Sequence, residues 1–364
     1  MTFPRPADLN PARCWHGGMS PEVLLAAKLA WVLLLASGFL MHAGAAGAPV
    51  IPGLDVLAPG TSWMFRALFI VTGLALLTNQ ATRIAAVVAG ACVLIAPLQS
   101  LAAWRAHEWI CGAVLVLAGL ETPGERPWLL RAQATIALLA VVLDRTDAIH
   151  WAAPATLEGW EVERDVPSLI RLLEDTLPAA WMHAGATWLV PLSALAIASG
   201  LWVPRLRSRA AWAACVWFLA GYLLVGATDA GFHALAGLVT LLAFLEWPRQ
   251  SIAAHWPRAC GWPMWLRIAL DHYDFDQKTE WPFPENPDAD PDVWIDGHLL
   301  PRRSGLAGLL LYFPLFHMSA FAAAVVVLLV LPQPWAALVH ACLGLGLLAF
   351  FAPTTFTRAR RAAR

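Results

Sequence analysis

EVLLAAKLAWVLLLASGFLMHA, residues 22–43, is an apolar stretch long enough for a bilayer-crossing helix, with Lys28 as the one charged side chain in its interior. Similar stretches lie at 62–79, 83–103, 107–121, 128–144, 185–203, 209–226, 230–247, 315–332 and 335–352. Hydrophobic residues make up 59% of the 364 residues and charged residues only 13%, with a mean hydropathy of +0.61. Because a bilayer solvates apolar side chains directly, we predict an all-α fold, a polytopic helical membrane bundle of about ten spans.

The arginines predict the orientation of this bundle. With the N-terminus inside, most arginines fall on the cytoplasmic side, including the tail from Arg358 to Arg364. We therefore predict a multi-pass protein of the bacterial inner (cell) membrane, with cytoplasmic N- and C-termini. In an alternative interpretation, Ala43-Gly44-Ala45 is a signal-peptidase site, and cleavage there would leave the remaining topology unchanged.

Two segments between the apolar runs are longer than turns. Residues 165–178 place leucines on one helical face and charged residues opposite, which predicts an amphipathic helix, on the outer membrane surface or packed on the bundle. Residues 248–304 are predicted to form a small cytoplasmic α/β insert. Within it, Asp292-Val-Trp-Ile-Asp-Gly-His298 alternates apolar and polar residues and contains the Asp-Gly turn signal of a strand that enters a hairpin.

Polar side chains concentrate on the outer side of the predicted topology. Asp144, Asp147 and His150 recur at intervals of three residues, which would place them on one face of a continuing helix. With Arg145 and His107 they are the candidate catalytic residues, since such a group could exchange protons or hold a polar headgroup. The alternative is an ordinary collection of interfacial polar groups.

The composition also argues against several kinds of protein. The formal net charge of −1 and the absence of a basic patch argue against binding to nucleic acid. The six cysteines form no CxxC pair, and the histidines show no HxxxH or HExxH spacing, so we predict no metal site. The middles of the predicted spans are nearly free of ionisable residues, which argues against a proton-driven pump or antiporter.

The layout up to residue 247 resembles the HTTM membrane domain, which is named for its similarity to vitamin K-dependent gamma-carboxylase. The resemblance rests on Trp128-Leu-Leu-Arg-Ala-Gln133, Asp144-Arg-Thr-Asp-Ala-Ile-His-Trp151, Gly159-Trp160, the amphipathic helix and Pro204-Arg-Leu-Arg207. The resemblance implies a helical membrane fold for this part of the chain. Gamma-carboxylation is not expected, because Asp144-Arg145 stands where the enzyme has its lysine base, and arginine stays protonated at ordinary pH.

A second, weaker resemblance covers residues 260–314 and involves the DCC-type thiol-disulfide oxidoreductases. Val293-Trp-Ile-Asp-Gly297 and the leucine-rich stretch after it carry this resemblance. Cys260 stands alone where that family has a CxxC pair, and dithiol exchange needs two cysteines within reach. The segment is therefore interpreted as degenerate. The resulting domains are 1–247, HTTM-like; 248–304, the DCC-like insert; and 305–364, a helical hairpin with a basic tail.

Two functional hypotheses follow. The first is an HTTM-type membrane protein whose outward polar site binds a lipid-soluble or quinone-like molecule, with membrane lipid as a further partner. The second is a non-catalytic scaffold or accessory subunit that binds a protein partner through residues 248–304. The residues do not decide whether the protein is an enzyme, and the cofactor is unknown.

Overall fold

The computed structural model describes the helical part of the chain and the strands of one small sheet. The described residues are 19–42, 58–96, 105–121, 127–143, 176, 178, 181, 188–225, 228–244, 252–255, 279–280, 292–295, 298–300, 314–332 and 335–346.

Helices occupy most of these residues. They are α1 (Pro21–Ala36), α2 (Phe39–His42), α3 (Ala58–Leu77), α4 (Thr82–Ile95), α5 (Ala106–Leu120), α6 (Trp128–Leu143), α7 (Val190–Trp202), α8 (Arg207–Val225), α9 (Thr228–Leu241) and α10 (Pro314–Val330). A 3₁₀ turn, Leu242–Phe244, continues α9, and residues 335–346 form a further helix, α11. Proline in the first turn begins both α1 and α7, since its fixed φ suits that position and no N–H is lost there.

The helices lie at the predicted apolar stretches, but the prediction of membrane spans is wrong. Across the described residues, no helix combines the length and the apolar character needed to cross a membrane. Helix α1 shows one reason why an apolar run need not form a spanning helix. It ends at Ala36, and the run is interrupted at Gly38, which adopts a positive φ of 84°. Its 16 residues rise about 24 Å, less than the roughly 30 Å of a hydrocarbon core. The two longest helices, α3 with 20 residues and α8 with 19, carry charged residues within them, such as Arg66 in α3 and Arg209 in α8.

The polytopic membrane bundle is therefore corrected to a helical bundle without a described spanning helix. The multi-pass inner-membrane localisation, which depended on those spans and included the cytoplasmic termini, is corrected with it.

Helix α1 lies at the centre of the bundle. It packs against α3, α4, α5, α9, α10 and the 3₁₀ turn, and its side chains from Leu25 to Leu34 are almost all buried. The most extensive contact between two helices joins α4 to α5, and α5 also packs against α6 and α9. Helices α5 and α9 therefore meet beside α1, and this contact positions the candidate site.

The described residues of the segment 248–304 are strands. They form a four-stranded sheet in the order β2 (Thr279–Glu280), β1 (Ile252–His255), β3 (Asp292–Ile295), β4 (His298–Leu300). Strand β1 pairs parallel with β2 and antiparallel with β3, and Ile295 pairs with His298 across β3 and β4. No helix occurs among the described residues of this segment, so the α/β insert of the predicted fold is corrected as well. The predicted amphipathic helix at 165–178 lies outside the described residues, apart from Thr176 and Pro178.

Candidate functional site

A group of polar side chains gathers where the N-terminal ends of α5 and α9 meet. Arg105 precedes α5, His107 and Glu108 lie in its first turn, and Asp229 and His233 belong to the first turns of α9. We call Arg105, His107, Glu108 and Asp229 the α5–α9 polar cluster. They come together because α5 packs against α9 near the starts of both helices.

Glu108 of the cluster has a raised pKa. Its side chain is only 1% exposed, and burial raises its pKa from 4.5 to about 7. The nearby Arg105 guanidinium acts in the opposite direction, and the Asp229 carboxylate raises the pKa further. A helix N-terminus favours a carboxylate, yet the loss of hydration outweighs that effect here. Glu108 therefore exchanges a proton near neutral pH inside an apolar environment.

His107 is buried beside Glu108 and makes an aromatic contact across the two helices. Its ring is 2% exposed and stacks on the Phe232 ring, with centroids 5.3 Å apart and planes inclined at 27°. The next residue of α9, His233, has its pKa lowered by burial, so its neutral form is favoured. The cluster thus combines a protonatable acid, an imidazole and a flat aromatic surface.

An ion pair lies at the edge of the cluster. Arg105 Nη1 is 3.7 Å from Asp229 Oδ1, and the two side chains are 32% and 70% exposed. Exposed ion pairs contribute little to the free energy of folding. We therefore infer that Arg105 and Asp229 act mainly through their charges on the pKa of Glu108.

The side chains of Cys111 and Gln133, which lie near Glu108, carry no charge. Cys111 is fully buried one turn further along α5, and burial together with Glu108 raises the pKa of its thiol, so it stays protonated. Gln133 of α6 donates from Nε2 to the Ile110 carbonyl over 2.9 Å. Among the described residues, no set of three His, Cys, Asp or Glu side chains is arranged to hold a metal ion.

Searches against protein-family models, curated proteins and solved structures find no match to this chain. The HTTM and DCC-type resemblances therefore stay predictions. The function has to be argued from the geometry of the α5–α9 polar cluster.

Of the five residues predicted from the sequence to form a site, the structure describes one. His107 lies in the α5–α9 polar cluster, whereas Asp144, Arg145, Asp147 and His150 lie outside the described residues. Of the other histidines, His233 lies in α9, and His340 contacts α8 and α10. Glu108 and Gln133 lie near the starts of α5 and α6, and both are buried.

Lys28, which is not among the residues predicted to form a site, is a second buried ionisable group. Lys28 is 1% exposed, donates from Nζ to Asn79 Oδ1 over 2.6 Å, and has its pKa lowered by burial to about 8. Asn79 follows the C-terminus of α3 and adopts a positive φ of 58°, a conformation that asparagine tolerates. The signal was present in the sequence, since Lys28 is the one charged residue inside the first apolar run.

Proposed function

We propose that the α5–α9 polar cluster binds a lipid-soluble, quinone-like molecule. The observation that carries the proposal is the buried carboxyl of Glu108, with a pKa of about 7, beside the buried ring of His107. The class of ligand is the one that the HTTM resemblance suggested.

The chemistry of such a ligand fits the groups of the cluster. Quinone carbonyl oxygens accept hydrogen bonds but donate none, so their site needs donors in apolar surroundings. A protonated Glu108 and an imidazole N–H of His107 are donors of this kind. The stacked rings of His107 and Phe232 offer a flat aromatic contact for a planar head group.

Quenching of tryptophan fluorescence tests the proposal, because quinones quench indole emission and Trp109 lies next to Glu108 in α5. The protein, kept in mild detergent, is titrated with menadione at about pH 6, where Glu108 is mostly protonated. We expect saturable quenching in the wild type and at least about tenfold weaker binding in Glu108→Leu, which loses a hydrogen bond in an apolar site.

Glu22→Leu serves as the matched control, since Glu22 is a carboxylate in the first turn of a different helix, α1. We expect it to bind menadione as the wild type does. Equal affinities for the wild type, Glu108→Leu and His107→Leu would refute the proposed site, because only partition of menadione into detergent would remain.

The sheet supports a second candidate, a partner-binding role for residues 248–304. Its order places β2 and β4 at the two edges, and an edge strand can pair with a strand of another protein. Native mass spectrometry of the gently purified protein, followed by cross-linking, tests this role. A stoichiometric protein cross-linked to residues 248–304 would support it, and a solitary monomer would count against it.

A further inference from the structure

One side of α3, the longest described helix, exposes a row of apolar side chains. They lie within one face of the helix and are Trp63, Met64, Leu68, Ile70, Val71 and Leu74. We call them the α3 outer face. Trp63 is 72% exposed and Val71 is 62% exposed. The opposite face is buried, since Phe69 stacks on Trp31 of α1 and its carbonyl accepts the Trp31 indole N–H over 3.1 Å.

The size of the α3 outer face distinguishes it from scattered exposed leucines. It extends about 16 Å along the helix from Trp63 to Leu74, at about 1.5 Å per residue. Arg66 is the one charged residue in this stretch, and the helical period puts it at the border of the face rather than within it. A contiguous exposed apolar face with a polar border marks a surface that contacts another apolar body.

The border of the face indicates what covers it. The Arg66 guanidinium lies over the Trp63 ring, with Cζ 5.7 Å from the ring centroid. An indole beside an arginine suits the edge of a lipid layer, because the ring is stable at headgroup level and a guanidinium binds phosphate.

Charge distinguishes a lipid surface from a second copy of the chain as the occupant. Helix α3 contains no Asp or Glu, and neither does α4, which packs beside it. A second α3 would therefore bring another arginine and no carboxylate to the contact. Anionic lipid headgroups instead supply negative charge along the whole border of the face.

We propose that the α3 outer face lies on an anionic lipid surface. Its apolar side chains contact acyl chains, and Trp63 and Arg66 lie at the level of the phosphate groups. The contact is interfacial, so it needs no helix that crosses the bilayer. It is also independent of the ligand proposed for the α5–α9 polar cluster.

Flotation of the full chain with lipid vesicles tests the proposal. Protein transferred from mild detergent to preformed phosphatidylcholine vesicles, with or without phosphatidylglycerol, is separated on a density gradient. We expect the wild type to float with the vesicles. Val71→Asp should bind at least about tenfold more weakly, because it loses an apolar contact and adds a charge that anionic lipid repels.

Gln80→Glu is the matched control, since it adds the same charge at an exposed position just beyond α3 and outside the apolar face. It should float as the wild type does. Arg66→Gln should reduce the preference for phosphatidylglycerol by about fivefold, the effect of one arginine at an anionic surface, and Arg66→Lys should restore it.

A photoactivatable phosphatidylcholine with a diazirine in its acyl chain then locates the contact, with mass spectrometry of the labelled peptides. Labels on residues 63–74 in the wild type, reduced in Val71→Asp, support the proposal. Equal flotation of the wild type and Val71→Asp, or vesicle-bound protein without labels on residues 63–74, would overturn it. A wild type that stays off the vesicles and forms a dimer that Val71→Asp dissociates would also overturn it, because a second copy would then cover the face.

Discussion

Glu108 and Lys28 are both buried in the helical bundle, and burial shifts their pKa values in opposite directions. The carboxyl is harder to ionise and the amine is harder to protonate, because each loses hydration in its charged form. Lys28 keeps a hydrogen bond to Asn79, which compensates part of that loss. The two residues therefore make stability depend on pH from opposite sides of neutrality.

Replacement of Glu108 by glutamine should stabilise the protein at alkaline pH. The folded-state pKa is raised from 4.5 to about 7, so the stability linked to the bound proton is full below pH 4.5 and is lost as pH rises through 7. At about pH 8 we expect Glu108→Gln to have a free energy of unfolding up to about 3 kcal/mol above the wild type, with little difference near pH 4.5. Chemical denaturation at both pH values measures this, and equal effects at both would contradict the burial of the charge.

Replacement of Lys28 by methionine should remove a pH dependence above neutrality. The folded-state pKa is lowered from 10.5 to about 8, so the wild type bears the full cost of the buried charge below pH 8 and regains stability towards pH 10.5. We expect the wild type to gain on the order of 3 kcal/mol across that interval and Lys28→Met to stay flat. Denaturation curves at about pH 7.5 and pH 10 compare the two, with Lys278→Met, the other lysine of the chain, as the control. If the free energy of unfolding of the wild type did not rise over this interval, the lowered pKa of Lys28 would be refuted.

At the scale of elements, glycines and arginines determine how closely the helices approach and how they end. A Cβ at Gly90 of α4 would lie 2.6 Å from the Gly112 carbonyl oxygen and 2.7 Å from the Val116 nitrogen of α5, so the two backbones pack where side chains would not fit. At the other end of α5, Arg83 donates to the Gly119 and Glu121 carbonyls over 3.0 and 2.9 Å. Arg131 likewise donates to the Ala243 carbonyl over 2.8 Å. These guanidinium groups satisfy carbonyls that helix ends leave without intrahelical donors.

Replacement of Gly90 by alanine should destabilise the α4–α5 contact. The added methyl group meets backbone atoms that cannot rotate away, so the helices must separate, at a cost of about 1–3 kcal/mol. Gly221→Ala in α8 is the matched control, because a Cβ there meets nothing within 4 Å, and alanine should stabilise that helix by about 0.5–1 kcal/mol. Thermal denaturation of both variants measures the contrast, and destabilisation of equal size in both would show that close packing at Gly90 is not the cause.

The element scale also shows what could be predicted from the sequence and what could not. The ten apolar stretches coincide with helices, since apolar composition and proline or glycine punctuation are local properties. The inference from apolar run to membrane span failed, since several helices end earlier than their apolar runs do, as α4 does at Ile95 within 83–103. Among the candidate site residues, His107 was found from its type and its place at a helix start, while the burial of Glu108 depended on contacts with α9 that no local pattern contains.

At the scale of the whole molecule, α1 and the α5–α9 contact form one buried centre around which the other helices pack. The opposed effects of Glu108 and Lys28 then act on a single cooperative core. Stability attributable to this pair falls between about pH 4.5 and 7 and rises between about pH 8 and 10.5, with a minimum near pH 7–8. His233, whose pKa is lowered by burial, acts against Glu108 in the acidic range, because its protonation is unfavourable in the folded state.

The double variant Glu108→Gln/Lys28→Met should flatten this minimum. We expect its free energy of unfolding near pH 7.5 to exceed that of the wild type by about the sum of the two single effects, since the groups lie on different helices and share no hydrogen-bond partner in the described contacts. Denaturation series from about pH 5 to pH 10 measure the profiles. A minimum of unchanged depth in the double variant would mean that other groups produce it.

The sequence by itself determined where this chain forms helices, because apolar runs and the prolines that begin or glycines that break them act over a few neighbouring residues. It also pointed to His107. The tertiary structure alone decided which polar groups meet and in what state. Glu108 holds its proton to about pH 7 and Lys28 loses its proton near pH 8, each because neighbouring elements exclude water from that side chain. The physical reason is that hydration and hydrogen bonding of a side chain depend on residues distant in the sequence, as in the bond from Lys28 to Asn79, 51 positions away.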